Sequence, residues 1–406
     1  MRCLAITAWF AWFAGAGLTV GCGSTPRHPV APVATPVTPA RDLAHARGAA
    51  RAGDTASGGS QGAARARDPR VVDLDIIRIT ARAAAPGAEP ELTAVASADQ
   101  FAAANAAAKA GRPGDAIARY RQLVAEFPES QFAPVALFDV AALCDAQGDR
   151  SATLAALAEL VEKYPASRES IDGHLYIAAL EADHQQWTLA AATLDAVLAR
   201  TQLTYADRLE ALARRGYVEL EQHHYDAADA ALSAAIDQWR KAPRIDDPYY
   251  IAMAHYYRGE VMHRRFAEAR VRTGDDEMVA DLDAKRALAA AAYDRWREAL
   301  AFHQAYWATA AGYQMSQIFV ELWRAHIEAP YPQRIDRAAR PSYVTEVHTR
   351  VRADLEKALE GHRMNVELAR AYGVDTTWSQ GSERQAVAIM ELLARDTPGS
   401  YVAPPD

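Results

Sequence analysis

Small and apolar residues in the middle of the chain recur in a pattern that predicts paired helices. Between Gly111 and Pro128 the apolar positions lie three or four residues apart, as they do on one face of a helix. The same spacing follows Gly148 and ends at Pro165. The two glycines lie 37 residues apart, and so do the two prolines. A fixed period of this length predicts an all-α, right-handed solenoid of helix hairpins.

Further hairpins continue the pattern on both sides of this stretch. Each has small residues where its two helices are expected to cross, namely Ala104, Ala116, Ala141, Ala178, Ala190, Gly216, Ala228 and Gly259. Helix starts are predicted where a capping side chain precedes an apolar run. These starts are Ser97 with Gln100, Asp207 with Glu210, Asp247, and Ser382 with Gln385. The pattern therefore predicts five to seven hairpins between residues 97 and 396.

The pattern changes after about residue 240. A long helix is predicted to carry Tyr293, Trp296 and Trp307, and Pro341 opens another whose apolar stripe runs from Val344 to Leu359. Tyr and Trp crowd this half of the chain. Aromatic residues at helical spacing are usually core residues, and the alternative is that some of them line a binding groove.

The corners "FPES" and "YPAS", the 37-residue step and the small crossing residues resemble the tetratricopeptide repeat (TPR) superfamily. They are most similar to its bacterial envelope branch, which includes the lipoprotein of the β-barrel assembly machinery and the periplasmic coordinator of the Tol–Pal system. The region after Tyr249 is loosely similar to envelope TPR proteins of myxobacteria. The resemblance implies a chain that binds other proteins, and it divides residues 97–240, with TPR-like repeats, from residues 241–396, which are diverged helical repeats.

The first 22 residues predict an export signal. An apolar run from Leu4 to Val20 is followed by Gly21 and Cys22. A Cys in this place resembles the bacterial lipoprotein signal, which implies acylation at Cys22, and Gly23 after it implies the outer membrane. The usual Leu three residues before the Cys is Thr19 here. An uncleaved membrane anchor and an ordinary cleaved signal are the alternatives.

Residues 23–96 are predicted to form a tether. Residues 23–69 are rich in Ala, Pro, Arg and Gly and have too few large apolar side chains to form a core. The segment Val71–Thr80 is rich in β-branched residues and is the one convincing strand signal. It is either part of the disordered tether or a strand that joins the sheet of a partner. Residues 397–406 are a short tail.

Charge and residue types exclude several functions. The net charge is −8, and the negative charge lies in the helical part because residues 1–96 have more Arg than acids. The chain is therefore a poor candidate for binding nucleic acid. Cys144 is expected to be a buried structural thiol. The pairs His223–His224 and His255–His263 do not converge on one metal ion, and they are interpreted as surface residues. We expect no catalytic, cofactor or metal site and no enzymatic activity.

Taken together, these features predict a non-catalytic scaffold that is lipid-anchored in the outer membrane on its periplasmic face and that binds other envelope proteins. The partner, a peptide or a helix, is expected in the concave groove, where Arg214, Tyr217, His255 and Arg258 are the candidate contacts. The alternative is a TPR lipoprotein that binds a nutrient for uptake. An aromatic platform exposed to solvent in the C-terminal half would favour that alternative.

Overall fold

A computed structural model describes residues 75–82 and 91–401. Within these ranges two strands precede thirteen helices, and the chain divides into an N-terminal unit that ends at Ile245 and a C-terminal unit that begins at Asp246. Cys22, the export signal and the tether at 23–69 lie outside the described residues. No helix of the described ranges is long and apolar enough to span a bilayer. The predicted all-α class is confirmed by this arrangement.

The N-terminal unit contains eight helices of 12 to 17 residues. They are α1 Ser97–Lys109, α2 Pro113–Glu126, α3 Phe132–Ala146, α4 Arg150–Lys163, α5 Arg168–Asp183, α6 Trp187–Leu198, α7 Tyr205–Glu221 and α8 Tyr225–Lys241. Consecutive helices pack in pairs, so that α1–α2, α3–α4, α5–α6 and α7–α8 are four hairpins. Each hairpin also packs on the next one, as the repeat predicts.

Small residues lie where the helices of these hairpins meet. Ala104, Ala116, Ala141, Ala190 and Ala228 are fully buried, as their place in the repeat predicts. At Gly216 on α7, a Cβ atom would overlap the side chain of Leu232 on α8. Glycine at this position therefore permits the close approach of the two helices without displacing Leu232.

The turn inside each hairpin repeats one backbone conformation. Gly111 and Gly148 have φ angles of +70° and +76°, and the corresponding residues of the third and fourth hairpins are Gln185 and His223, with φ of 58° and 62°. In all four turns the N–H of this residue donates to the carbonyl three positions earlier, and the next N–H donates to the carbonyl five positions before it. These two hydrogen bonds end the first helix of each hairpin. The left-handed position, which favours glycine, keeps its spacing even where another residue occupies it.

All four predicted helix starts are displaced in the structure. Asp247 accepts from the N–H of Tyr249, but Pro248 is the N-cap of the helix that begins at Tyr249. Ser97 is the first residue of α1 and does not cap it, since its hydroxyl donates to Asp75. The start of α7 is capped by Thr204, with Asp207 completing a reciprocal capping box. The last helix is capped in the same way by Thr376. In each case the residue predicted to cap the helix makes other hydrogen bonds in the structure. Apolar periodicity alone leaves the ends of helices uncertain.

The C-terminal unit has longer helices, of 19 to 33 residues. They are α9 Tyr249–Glu268, α10 Asp275–Leu300, α11 Ala305–Ile327, α12 Arg340–Tyr372 and α13 Thr377–Arg395. Each helix packs on the next, and α9, α11 and α13 form a second set of neighbours. The long helix predicted to carry both Trp296 and Trp307 is two helices, separated by a turn in which His303 has a φ of 53°.

Two glycines set the spacing of helices in the C-terminal unit. A Cβ atom at Gly259 on α9 would overlap the indole of Trp296 on α10. A Cβ atom at Gly312 on α11 would overlap the amide of Asn365 on α12. Large side chains of one helix therefore pack directly on the backbone of its neighbour. The ammonium of Lys285 donates to the carbonyls of Phe266 and Ala269, which end α9.

The strand predicted at Val71–Thr80 is corrected in its bounds and in its partner, since the observed strand begins at Ile77 and pairs within this chain. Strand β1, Ile77–Arg82, pairs antiparallel with β2, Glu91–Ala96, which carries no clear strand signal in the sequence. Asp75 holds this β-hairpin to the first repeat, because its carboxylate accepts from the hydroxyls of Ser97 and Ser130. Burial raises the pKa of Asp75, but these two hydrogen bonds bring the pKa below its ordinary value. The end of the predicted tether is thus an ordered part of the N-terminal unit.

Candidate partner-binding surfaces

The first helices of the four N-terminal hairpins form a continuous layer. Helix α1 contacts α3, α3 contacts α5, and α5 contacts α7. The hydroxyl of Tyr176 on α5 donates to Asp145 on α3 at 2.7 Å, and the Tyr176 ring lies 6.1 Å from that of Phe138. A layer of this kind presents side chains from several repeats to one ligand.

Access to this layer differs along the unit. On one side of α1 and α3 lie residues that are exposed or half-buried, and we call them the first-helix face: Ala98, Ala102, Asn105, Val135, Asp139, Ala142 and Ala146. They recur at three- and four-residue spacing, as one side of a helix requires. On α5 and α7 most of the equivalent repeat positions are buried, namely Asp172, Tyr176, Ala179, Glu210, Arg214 and Tyr217. Asp183 and Glu221, which correspond to Ala146, are half-buried. The accessible part of the layer is therefore at the first two hairpins.

Arg214 and Tyr217 are two of the residues predicted to contact a partner. They lie three positions apart on α7, with 8 % and 7 % of their surface exposed. The guanidinium Nε of Arg214 lies 3.0 Å from Glu210, and the ring of Tyr217 meets that of Trp187 edge-on at 5.9 Å. Burial of both side chains gives them a packing role within the chain, while a role in binding stays a prediction.

His255 and Arg258 are the other two predicted contacts, and they lie three positions apart on α9. His255 is 6 % exposed, with its Nδ1 atom 2.9 Å from Glu298 and its ring stacked on Phe302 at 5.3 Å. Arg258 is half-buried. The interpretation of His255 as a surface residue is therefore wrong. The structure brings the predicted residues together in two pairs, one in each unit.

The aromatic residues of the C-terminal half are core residues. Trp296, Trp307, Tyr256, Tyr313 and Trp378 are all buried. Four of these rings form a connected cluster, in which Tyr256 lies 5.2 Å from Trp307 and Trp378 lies 5.5 Å from Tyr313. The indole of Trp296 instead contacts the ring of His263. In the described residues these rings leave no exposed platform on which a sugar could stack. The feature that would have favoured the nutrient-binding alternative is missing there.

A charged cluster lies between α9 and α11. His263, which is mostly buried, has its Nε2 atom 2.7 Å from Glu321 and its Nδ1 atom 3.6 Å from Glu260. Burial lowers the pKa of His263, but the two carboxylates outweigh burial and raise it to about 10. Gln314 donates to Glu260 at 2.9 Å. A histidine that stays protonated at neutral pH is a structural cation and is poorly suited to proton transfer there.

A second buried histidine has the opposite character. Burial lowers the pKa of His362 to about 3, so its ring is neutral. Its Nδ1 atom lies 3.2 Å from the hydroxyl of Ser382, and Asn365 donates to the same hydroxyl at 2.9 Å. Although Ser382 and His362 are within hydrogen-bonding distance, both are fully buried, so a substrate has no access to this pair.

Metal and thiol chemistry have little support in the described ranges. Those ranges contain no group of three His, Cys, Asp or Glu side chains that could hold a metal ion. Cys144 is a buried free thiol, and burial is the main cause that raises its pKa. A thiol of this kind is a weak nucleophile.

The β-hairpin presents an apolar surface to solvent. Alternate residues of the two strands lie on one side, namely Ile77, Ile79, Ala81, Leu92, Ala94 and Ala96. Ile79 and Leu92 are each 67 % exposed, and Ile77 is 41 % exposed. The opposite side faces the helices, since Arg78 lies 5.1 Å from the ring of Phe127 and contacts Glu126. The apolar side is thus the outer one.

Sequence reasoning missed two of these features. Strand β2 was missed because "ELTAVA" is short and rich in alanine, and its pairing with β1 is a tertiary contact. The His263 cluster was missed because its partners are 58 residues apart. A signal existed for the first-helix face, since the small exposed residues Ala98 and Ala102 lie four residues apart on α1.

Comparisons with known proteins assign no family to the chain. No family model matches it, and no curated protein matches it. Among solved structures, it is similar to residues 41 to the end of MamA from Desulfovibrio magneticus, with 13 % identity, a TM-score of 0.32, and coverage of 47 % of this chain and 92 % of that one. It is similar to the C-terminal part of a TPR repeat-containing protein from Cytophaga hutchinsonii, with 11 % identity, a TM-score of 0.39, and coverage of 71 % and 95 %. It is also similar to a TPR protein from Parabacteroides merdae, with 10 % identity, a TM-score of 0.35, and coverage of 72 % of this chain and 98 % of that one.

Proposed function

We propose that the chain is a non-catalytic TPR-like scaffold that binds other proteins of the bacterial envelope. The observation that carries this proposal is the continuous layer of first helices, which is accessible at the first two hairpins. A peptide or a helix of a partner would lie across α1 and α3, where small side chains permit close approach of a backbone. The half-buried Asp139 adds a negative charge to this face.

The proposal includes a lipid anchor at Cys22 in the outer membrane, on the periplasmic side. It is supported by the apolar run that ends at Gly21 and by the long Ala/Pro/Arg-rich segment that follows. Acyl chains bind a membrane with about 0.8 kcal/mol for each buried CH₂ group. Cys22→Ser should release the chain from the outer-membrane fraction. If this variant fractionates like the parent chain, the anchor is assigned wrongly.

The partner-binding test uses two matched alanines. Ala102 is exposed on the first-helix face, and Ala118 is exposed on α2, the second helix of the same hairpin. Ala102→Arg places a long cation in the path of a partner and should abolish its capture from detergent-solubilised envelope. Ala118→Arg should leave capture unchanged, and both variants should melt with the parent.

Equal capture by the two variants would show that the first-helix face is not the binding site.

The structure also changes how the predicted contacts should be tested. Because Arg214 is buried beside Glu210, a change to Glu places two carboxylates together and is expected to destabilise the fold. A loss of binding in that variant would therefore not report on binding alone.

A further inference from the structure

Strand β1 is an open edge of the sheet. All six of its residues are exposed, whereas Val95 and Ala96 at the end of β2 are partly buried where β2 runs into α1. In the described part of the chain the sheet has two strands, so β1 pairs on one side. Within residues 75–82 and 91–401 no strand pairs with its other side, where the backbone groups could bind a further strand.

This edge has only part of the usual protection against strand pairing, namely Arg78, which faces the helices, and Arg82 on the same side of the strand. Natural edge strands carry inward-facing charges, Pro, Lys or bulges that prevent association. From Ile76 to Arg82 the chain has no Pro, no Lys and no acid, and its register with β2 is continuous. Exposed Ile77 and Ile79 add apolar surface beside the edge. A lone two-stranded sheet is marginally stable, and a third strand would stabilise it.

The hairpin is held in place before any partner arrives. Asp75 links the start of β1 to α1 and to the turn after α2 through Ser97 and Ser130. Arg78 links the middle of β1 to Glu126 and Phe127 at the end of α2. Binding to a pre-ordered strand avoids part of the entropy loss that opposes association.

We propose that the β1 edge binds an extended segment of a partner protein in which apolar and acidic side chains alternate. Backbone hydrogen bonds would supply affinity, and the alternation would set the register. Apolar side chains of the added strand would lie beside Ile77 and Ile79, and its acids would lie beside Arg78 and Arg82. This inference rests on the proposed scaffold function and names a second type of partner contact for it.

Charge favours a partner strand over a second copy of this chain. Arg78, Thr80 and Arg82 lie on one side of β1. Antiparallel pairing of β1 with itself would bring four guanidinium groups onto one side of a small sheet, and like charges across strands are destabilising. Glutamates at these places would instead pair with Arg82 and with the exposed part of Arg78.

The test uses synthetic peptides and the full-length chain. One fluorescent twelve-residue peptide alternates valine with glutamate, and the second alternates valine with lysine. We expect the chain to bind the valine–glutamate peptide at least tenfold more tightly, measured by fluorescence anisotropy. Hydrogen exchange should show new protection of β1 amides when this peptide binds. Equal affinity for the two peptides, or unchanged exchange in β1, would overturn the proposal.

Three variants sharpen the test. Arg82→Glu should invert the preference between the two peptides. Ile79→Asp should weaken valine–glutamate binding about tenfold, while Leu189→Asp, which changes a similarly exposed aliphatic residue on α6, should leave it unchanged. If the chain is a dimer that Ile79→Asp dissociates, the occupant is a second copy and the proposal is wrong.

The scaffold function can fail independently of this inference. If peptide binding follows the expected pattern but no protein is captured through the first-helix face, the scaffold proposal fails and the β1 edge stands. If capture through the first-helix face depends on Ala102 but the peptides do not bind, the β1 inference fails and the scaffold stands.

Discussion

The two units of this chain are built from helices packed on their neighbours, but they hold those helices together differently. In the N-terminal unit, helices of 12 to 17 residues meet through fully buried alanines and leucines, and the turns repeat every 37 or 38 residues. In the C-terminal unit, longer helices meet where Trp296 and Asn365 pack on glycines, and charged or polar groups such as His263 are buried between them.

The difference shows what a repeat can and cannot specify. Small apolar contacts are interchangeable between neighbouring hairpins, so one pattern can be copied along the chain. A buried ion pair or an indole against a glycine works only with one specific partner. The C-terminal unit should therefore tolerate single substitutions less well than the N-terminal unit, and the following predictions are ordered by expected size.

The largest effect is expected at the buried charge pair of the C-terminal unit. Glu321→Ala removes the closest partner of His263, and breaking a buried pair costs about 3–5 kcal/mol. Thermal melting followed by circular dichroism measures the loss. Glu328→Ala changes an exposed acid that follows the same helix and should cost less than about 0.5 kcal/mol. Similar losses in both variants would mean that the pair is not important for stability.

The interaction of His263 with its carboxylate partners should also appear in the pH dependence of stability. The pKa of His263 is raised to about 10 in the folded chain, from about 6.5 when unfolded. The protonated ring of His263 therefore adds its full contribution to the free energy of unfolding below pH 6.5. This contribution, on the order of a few kcal/mol, is lost as pH rises towards 10. Glu260 and Glu321 are the charged groups that act on His263, and Lys285 interacts in turn with Glu321. The difference in unfolding free energy between the parent and His263→Gln should shrink over this range.

His362 should give the opposite slope. The pKa of His362 in the folded chain is lowered to about 3. Its contribution to the free energy of unfolding is therefore complete above pH 6.5 and is lost as pH falls from 6.5 towards 3. The parent should therefore lose stability in mild acid relative to His362→Gln. A flat difference would contradict the burial of a neutral ring.

Substitution of one glycine in each unit compares the packing of the two units directly. Gly259→Ala inserts a methyl group against the rigid indole of Trp296 and should cost about 2–3 kcal/mol. Gly216→Ala meets Leu232, which can change rotamer, and should cost about 1 kcal/mol. Chemical denaturation measures both values, and equal losses would contradict the proposed difference in packing.

The repeat register of the N-terminal unit predicts a further contrast. Ala228 is fully buried where α8 crosses α7, and Ala227 next to it is exposed. Ala228→Leu should separate the helices at about 1–3 kcal/mol, and Ala227→Leu should have little effect. If the melting temperatures of the two variants agree, the crossing does not lie at Ala228.

The smallest effect is a gain in stability. Gln185 occupies a left-handed position that glycine occupies in the first two turns. Gln185→Gly should relieve strain and stabilise the N-terminal unit by about 0.5–1 kcal/mol, despite the greater freedom of glycine in the unfolded chain. The reverse change, Gly148→Gln, should destabilise the unit by a similar amount.

The sequence by itself determined the helix hairpins, their period and the burial of the small residues at the crossings. Local spacing carries that information, because neighbouring hairpins repeat the same apolar contacts at a constant distance along the chain. It also indicated a strand at Val71–Thr80, whose β-branched residues are a local signal, and the last four residues of that segment belong to β1. Helix ends were less certain, as Thr204 and Thr376 show, since several polar residues near each end can cap.

Tertiary structure alone decided which residues of the repeat remain accessible. Equivalent positions are exposed or half-buried on α1 and α3 and mostly buried on α5 and α7, and the repeat spacing, which is the same in all four hairpins, does not distinguish them. Partners such as His263 and Glu321, or β1 and β2, are chosen by three-dimensional proximity between segments with no shared local pattern. Solvent exposure and electrostatic pairing depend on every neighbour in space, and only the folded chain specifies those neighbours.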